Sequence, residues 1–129
     1  MEKEKIAFPA PLILENLGTV GGTQAFRLVE DFVYISKRWG KLVCPAGFVT
    51  TGISSPRITW AICGPTGAAF KISVFHDYLF SKSCVYNLTR KESDDLMNEG
   101  MIALGVPWLE RQAIHKALRL FSWMFWKKA

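Results

Sequence analysis

Short apolar runs cut by turn residues fill the first part of the chain, and longer stretches with helical spacing fill the second. Ala25-Phe26-Arg27-Leu28-Val29 and Phe32-Val33-Tyr34-Ile35 are rich in the β-branched and aromatic residues that suit a pleated, half-buried surface, and predict strands. Glu30-Asp31 either separates them or lies inside one longer strand. Arg38-Trp39-Gly40-Lys41 predicts a turn before Leu42-Val43-Cys44, and Pro45-Ala46-Gly47 a second turn before Phe48-Val49-Thr50. Gly18, Gly21 and Gly22 mark a loop ahead of all of these. Short antiparallel hairpins over about residues 10–50 result.

Helices are predicted over about residues 67–80, 89–105 and 108–127. The first carries Phe70, Ile72, Val74, Phe75 and Tyr78. The second opens on Thr89-Arg90-Lys91-Glu92, a capping box: the threonine hydroxyl accepts from the Glu92 amide and the glutamate reaches back. Gly105 and Pro107 supply its stop. In the third, Ala113, Ile114, Ala117, Leu118, Phe121 and Phe125 fall on one face, and Glu110, Arg111, His115, Lys116, Arg119 and Ser122 on the other. The segment between the halves, about residues 50–66, holds Gly52, Ser54, Ser55, Pro56, Gly64 and Pro65; so long a loop in a compact domain is often functional. The class is α+β, one domain over residues 1–129.

Composition narrows the partners. Half of the 129 residues are hydrophobic, which excludes disorder and provides for a core. A net charge of +5 suits an anionic partner, either membrane or nucleic acid. The basic residues are spread from Lys3 to Lys128 and no nucleic-acid-binding motif is present, so nucleic acid is not an expected partner. Cys44, Cys63 and Cys84 are odd in number and lack metal-ligand spacing, which argues for reduced thiols rather than disulfides or zinc. Glu2 and Glu4 interrupt what would be the basic region of a signal peptide, and Leu12-Ile13-Leu14 is too short for its apolar core. No run approaches the roughly 20 apolar residues of a membrane span. The expectation is a protein made and folded in the cytoplasm.

Chemistry concentrates at His76-Asp77, two ionisable residues inside the apolar stretch Val74–Phe80. Ionisable groups among aromatics need partners. Either His76 is a core histidine satisfied by one hydrogen bond with Asp77 on the surface, or the pair is a site. Antiparallel packing of the first two helices would bring Asp94 level with His76, where a carboxylate fixes the tautomer and leaves the other ring nitrogen as a base. Asp94 and Asp95 also simply suit the first turns of a helix, and spacing alone favours that reading. Ser54-Ser55-Pro56-Arg57 lacks a nucleophile elbow, and the cysteines sit among largely apolar neighbours, so neither predicts a nucleophile. His115 reads as a solvated surface residue. Near the C-terminus Trp123, Phe125, Trp126, Lys127 and Lys128 combine aromatic and basic character; core packing, contact with a protein partner and contact with a membrane interface all fit.

A wider pattern ties these residues together. Cys44-Pro45-Ala46-Gly47-Phe48-Val49-Thr50, Gly52, Ser54, Pro56-Arg57, His76-Asp77-Tyr78-Leu79-Phe80, Arg90 with Asp94, and Ala103-Leu104-Gly105-Val106-Pro107 come in a familiar order. Together they resemble, over roughly Phe32 to Leu120, a phage and prophage family known as a domain of unknown function (number 1353). The histidine-aspartate pair with a third acid on a neighbouring helix is also similar to secreted phospholipases of the A-two type. That second resemblance implies His76 as a water-activating base, Asp94 as its orienting group, and Asp77 as a calcium ligand completed by the loop from Thr50 to Ser55. Thr51 stands where the phage family usually has aspartate, so the metal position keeps a hydroxyl and loses a carboxylate, weakening a calcium site. The disulfides that tie the helices of those phospholipases are also missing.

Two functions are therefore expected to compete. One is a phage virion, tail or assembly component with His76 and Asp94 as a buried clamp and other phage structural proteins as partners. The other is a calcium-assisted phospholipid-ester hydrolase acting at an anionic host membrane during entry or lysis. In either case synthesis would be in the host cytoplasm, and the first would end in the virion. Regulatory binding of a host protein is neither supported nor opposed by any residue.

Overall fold

The computed structural model describes residues 2–20, 23–51, 69–121, 123 and 126, and of Val20, Thr23, Gln24 and Thr51 only the backbone. Its elements are α1 (Glu2–Ala7), β1 (Leu14–Val20), β2 (Thr23–Leu28), β3 (Phe32–Ser36), β4 (Gly40–Cys44), β5 (Val49–Thr51), α2 (Phe70–Phe80), α3 (Arg90–Ala103) and α4 (Trp108–Phe121). The α+β class holds, with short antiparallel strands first and helices after.

The strands form two sheets. One has the order β1-β2-β5, and β3 and β4 make a separate hairpin. Glu30-Asp31 is the break between them: the Asp31 carboxylate accepts from the Ala46 amide at 2.8 Å and pins the corner. β1 replaces the loop expected around Gly18. That glycine, at φ 74°, sits at a register shift in the β1–β2 ladder, with its amide donating to the Asn16 side chain at 2.8 Å. A glycine inside a strand marks a bulge as readily as a glycine in a loop marks a turn.

α2 is the centre of the molecule. Val74 to Phe80 are all buried, so the helix is covered on every side. Phe75 packs against the hairpin through Phe32 and Tyr34, with ring centroids 5.4 and 5.8 Å away. α1, too short to show a period, is fastened by a 2.8 Å Glu4–Lys71 ion pair and by Phe8, which stacks on Phe32 at 5.6 Å. α3 lies antiparallel to α2, since Gly100 faces Ile72 while Asp94 faces His76. A Cβ on Gly100 would come within 2.2 Å of Ile72 Cγ1, so glycine is what lets the helices approach this closely. Both halves of the Thr89 capping box are formed, at 3.0 and 3.1 Å. The far end of α3 closes on Gly105 (φ 75°), with Val106 N–H donating to the Met101 carbonyl and Gly105 N–H to that of Ile102.

α4 departs from expectation in two ways. It ends at Phe121, with Trp123 in a 3₁₀ turn and Trp126 in a turn, rather than continuing to about Lys127. It is also rolled about its axis. Ile114 and Leu118 are buried, but Ala113 and Phe121 face solvent, His115 and Arg119 line the half-buried seam with α3, and Arg111 donates to the Val106 carbonyl in the connection before α4. The reason is electrostatic: the acids Asp94 and Asp95 lie on the facing surface of α3 and take up Arg119 and His115. Among the described residues no helix is long and apolar enough to cross a membrane.

Candidate functional site

His76 and Asp94 meet. His76 Nε2 lies 2.7 Å from Asp94 Oδ1, with the histidine 4% and the aspartate 0% exposed. Two features of the sequence set this contact. The Thr89 cap fixes the start of α3 and so the height of Asp94, and the Gly100–Ile72 contact fixes the gap between the helices. A carboxylate only accepts, so Nε2 carries the proton, and in the neutral ring Nδ1 keeps the lone pair. The ring lies 4.3 Å from that of Phe80, which in turn carries Trp126 edge-on at 4.9 Å. Trp126 is therefore part of the packing over the site.

Sequence reasoning missed the third member. Arg119 Nη1 donates to Asp94 Oδ2 at 2.8 Å, and Arg90 Nη1 stands 3.9 Å from the same oxygen. Both oxygens of Asp94 are thus engaged, one by each neighbouring helix. A guanidinium on this carboxylate cancels much of the negative charge that a base-activating aspartate supplies. The available signal was the four-residue spacing of Arg111, His115 and Arg119, one row on α4 opposite Asp94-Asp95. His115 belongs to that row: its Nε2 is 3.4 Å from Asp95 Oδ1, so it is half-buried in the helix seam rather than freely solvated.

Asp77 is buried too, not on the surface. Its Oδ2 accepts from the Thr50 hydroxyl at 2.5 Å, which joins α2 to β5. Burial pushes this carboxyl up to about 6, against the lowering effects of the Thr50 hydroxyl and of His76.

The pattern of these residues is that of a known family. The chain belongs to the family described as protein of unknown function (DUF1353). That family's model matches residues 26–118, a stretch that contains His76, Asp77 and Asp94. No curated protein and no solved structure matches the chain.

In this DUF1353 chain the described residues do not fit calcium. The ion takes six to eight oxygens. Asp94 is committed to His76 and Arg119, leaving one protonatable carboxyl and the Thr50 hydroxyl. Among the described residues no group of three metal-ligating side chains comes together. Thr51 pairs with Ala25 in the β2–β5 ladder, and its side chain lies outside the described residues. So do Ser54, Ser55 and Cys63, and Phe125, Lys127 and Lys128. Trp123 is 61% exposed. Cys44 is fully buried, and burial holds its thiol far above the usual range, so it is no nucleophile.

Proposed function

We propose that the protein is a phage-encoded virion or assembly component that acts by binding other phage structural proteins, with His76, Asp94 and Arg119 as a non-catalytic clamp joining three helices. The observation that carries this reading is the Arg119–Asp94 ion pair of 2.8 Å. It fills the second oxygen of the orienting carboxylate and offsets its charge. The motif order from Cys44 to Pro107 supports the phage origin. Contact with partners falls to α4 and the turn just after it, where Trp108, Leu109 and Leu120 on the helix and Trp123 beyond it are each more than 60% exposed, an apolar surface that a structural protein can use for docking.

A second reading, hydrolysis of phospholipid esters by water activated at His76, is favoured by one observation: the 2.7 Å contact that orients the imidazole and leaves Nδ1 as its base. One experiment separates the two. Purified protein and His76→Ala are given mixed phospholipid vesicles with calcium or with chelator. The clamp reading expects no fatty-acid release, and a variant that differs only in stability. Release that requires His76 would overturn it. On the binding side, mass spectrometry of purified particles should find the wild-type chain and lose the Leu109→Asp/Leu120→Asp variant, which leaves the buried side of α4 intact.

A further inference from the structure

α1, β3 and the end of α3 line a groove of about 330 Å³, to which His76, Asp94 and Arg119 contribute no side chain. Its size lies at the small end of the range for small-molecule sites, with room for one apolar chain rather than the two of a membrane lipid. Its walls are largely apolar, and its lips carry Ile6, 70% exposed, and Ile102, 46% exposed. Two exposed β-branched side chains lining one groove, Ile6 from α1 and Ile102 from α3, present apolar surface that a ligand would remove from water.

Charge decides which ligand. Lys3 and Lys37 line the groove and are exposed, and among the described residues neither forms an ion pair. The acid present, Glu99, accepts from the Tyr34 hydroxyl at 2.5 Å, and Tyr34 is 1% exposed, so this carboxylate is turned to the floor. An apolar slot with ammonium groups at its mouth and its own acid tied down below is complementary to an apolar chain ending in a negative charge. We infer that this groove binds a single-chain amphipathic anion such as a medium-chain fatty acid, its chain between Ile6 and Ile102 and its carboxylate between Lys3 and Lys37. The site is independent of the clamp and of any activity at His76.

Isothermal titration of the full chain with decanoate, and with decanol as the uncharged control, tests it. Decanoate should saturate one site and bind more tightly than decanol. Ile102→Trp fills the groove from an exposed position and should abolish binding while circular dichroism stays unchanged. Ile6→Trp, from α1, should do the same. Each of Lys3→Gln and Lys37→Gln should weaken decanoate about threefold, and the pair about tenfold, as expected for exposed charges. Decanol should not respond to them. Absence of saturation up to about 1 mM decanoate, or undiminished binding in both tryptophan variants, overturns the proposal. Lysine variants that leave decanoate unchanged overturn the assignment of the head group.

Discussion

Replacing Asp77 with asparagine isolates the free energy that this carboxyl costs the fold. The native carboxyl titrates at about 6 and the free side chain at 3.8. Each unit of difference is worth about 1.4 kcal/mol, so burying the ionised form costs on the order of 3 kcal/mol. The sign follows from proton binding. Between the two values the folded state holds more protons than the unfolded one, so stability from this group is fully present below pH 3.8 and is lost as the pH rises through about 6. Asparagine keeps an oxygen to accept from the Thr50 hydroxyl and carries no charge at any pH. Urea unfolding of both proteins at pH 4.5 and 7.5 reads the effect. The variant should gain roughly 2 kcal/mol on the wild type between those pH values, as the linkage relation gives when integrated over that window. A stability difference that does not change with pH would refute the reasoning. So would a calcium-dependent gain at pH 7.5 in the wild type that the variant lacks, because a bound cation would hold the carboxylate ionised.

Three further outcomes follow from the packing. Arg119→Met leaves the carboxylate of Asp94 short of its guanidinium; because Arg119 is itself partly exposed, the expected loss is about 2 kcal/mol in urea unfolding rather than the larger figure for a fully buried pair. Gly100→Ala drives a methyl group into Ile72, and overpacking of this kind should cost about 1–3 kcal/mol, partly offset by helix propensity, with Ile72→Ala restoring some of the loss in the double variant. Thr89→Ala removes one arm of the capping box and should cost about 1 kcal/mol, read as a lower thermal midpoint.

What the sequence disclosed about this site depended on whether a local rule fixed the residue. The height of Asp94 was legible because Thr89 and Glu92 mark the first turn of α3 within one residue, and helical geometry does the rest. Arg119 was not legible, because its orientation depends on the roll of α4, and an apolar period predicts roll only when burial alone decides it. Here two acids on α3 compete with Phe121 for the seam, and the ionic side wins: Arg119 and His115 enter while Phe121 stays 43% exposed. The same logic explains α1, whose polar residues give no period and whose place rests on Lys71 and Phe32, far along the chain. Buried carboxylates therefore act as organisers in this fold: Asp77 reaches across to β5, and Asp94 draws in a helix that hydrophobic spacing would have turned the other way. A charge so deeply used in assembly is poorly free to activate a base, which is the physical ground for reading the cluster as a clamp.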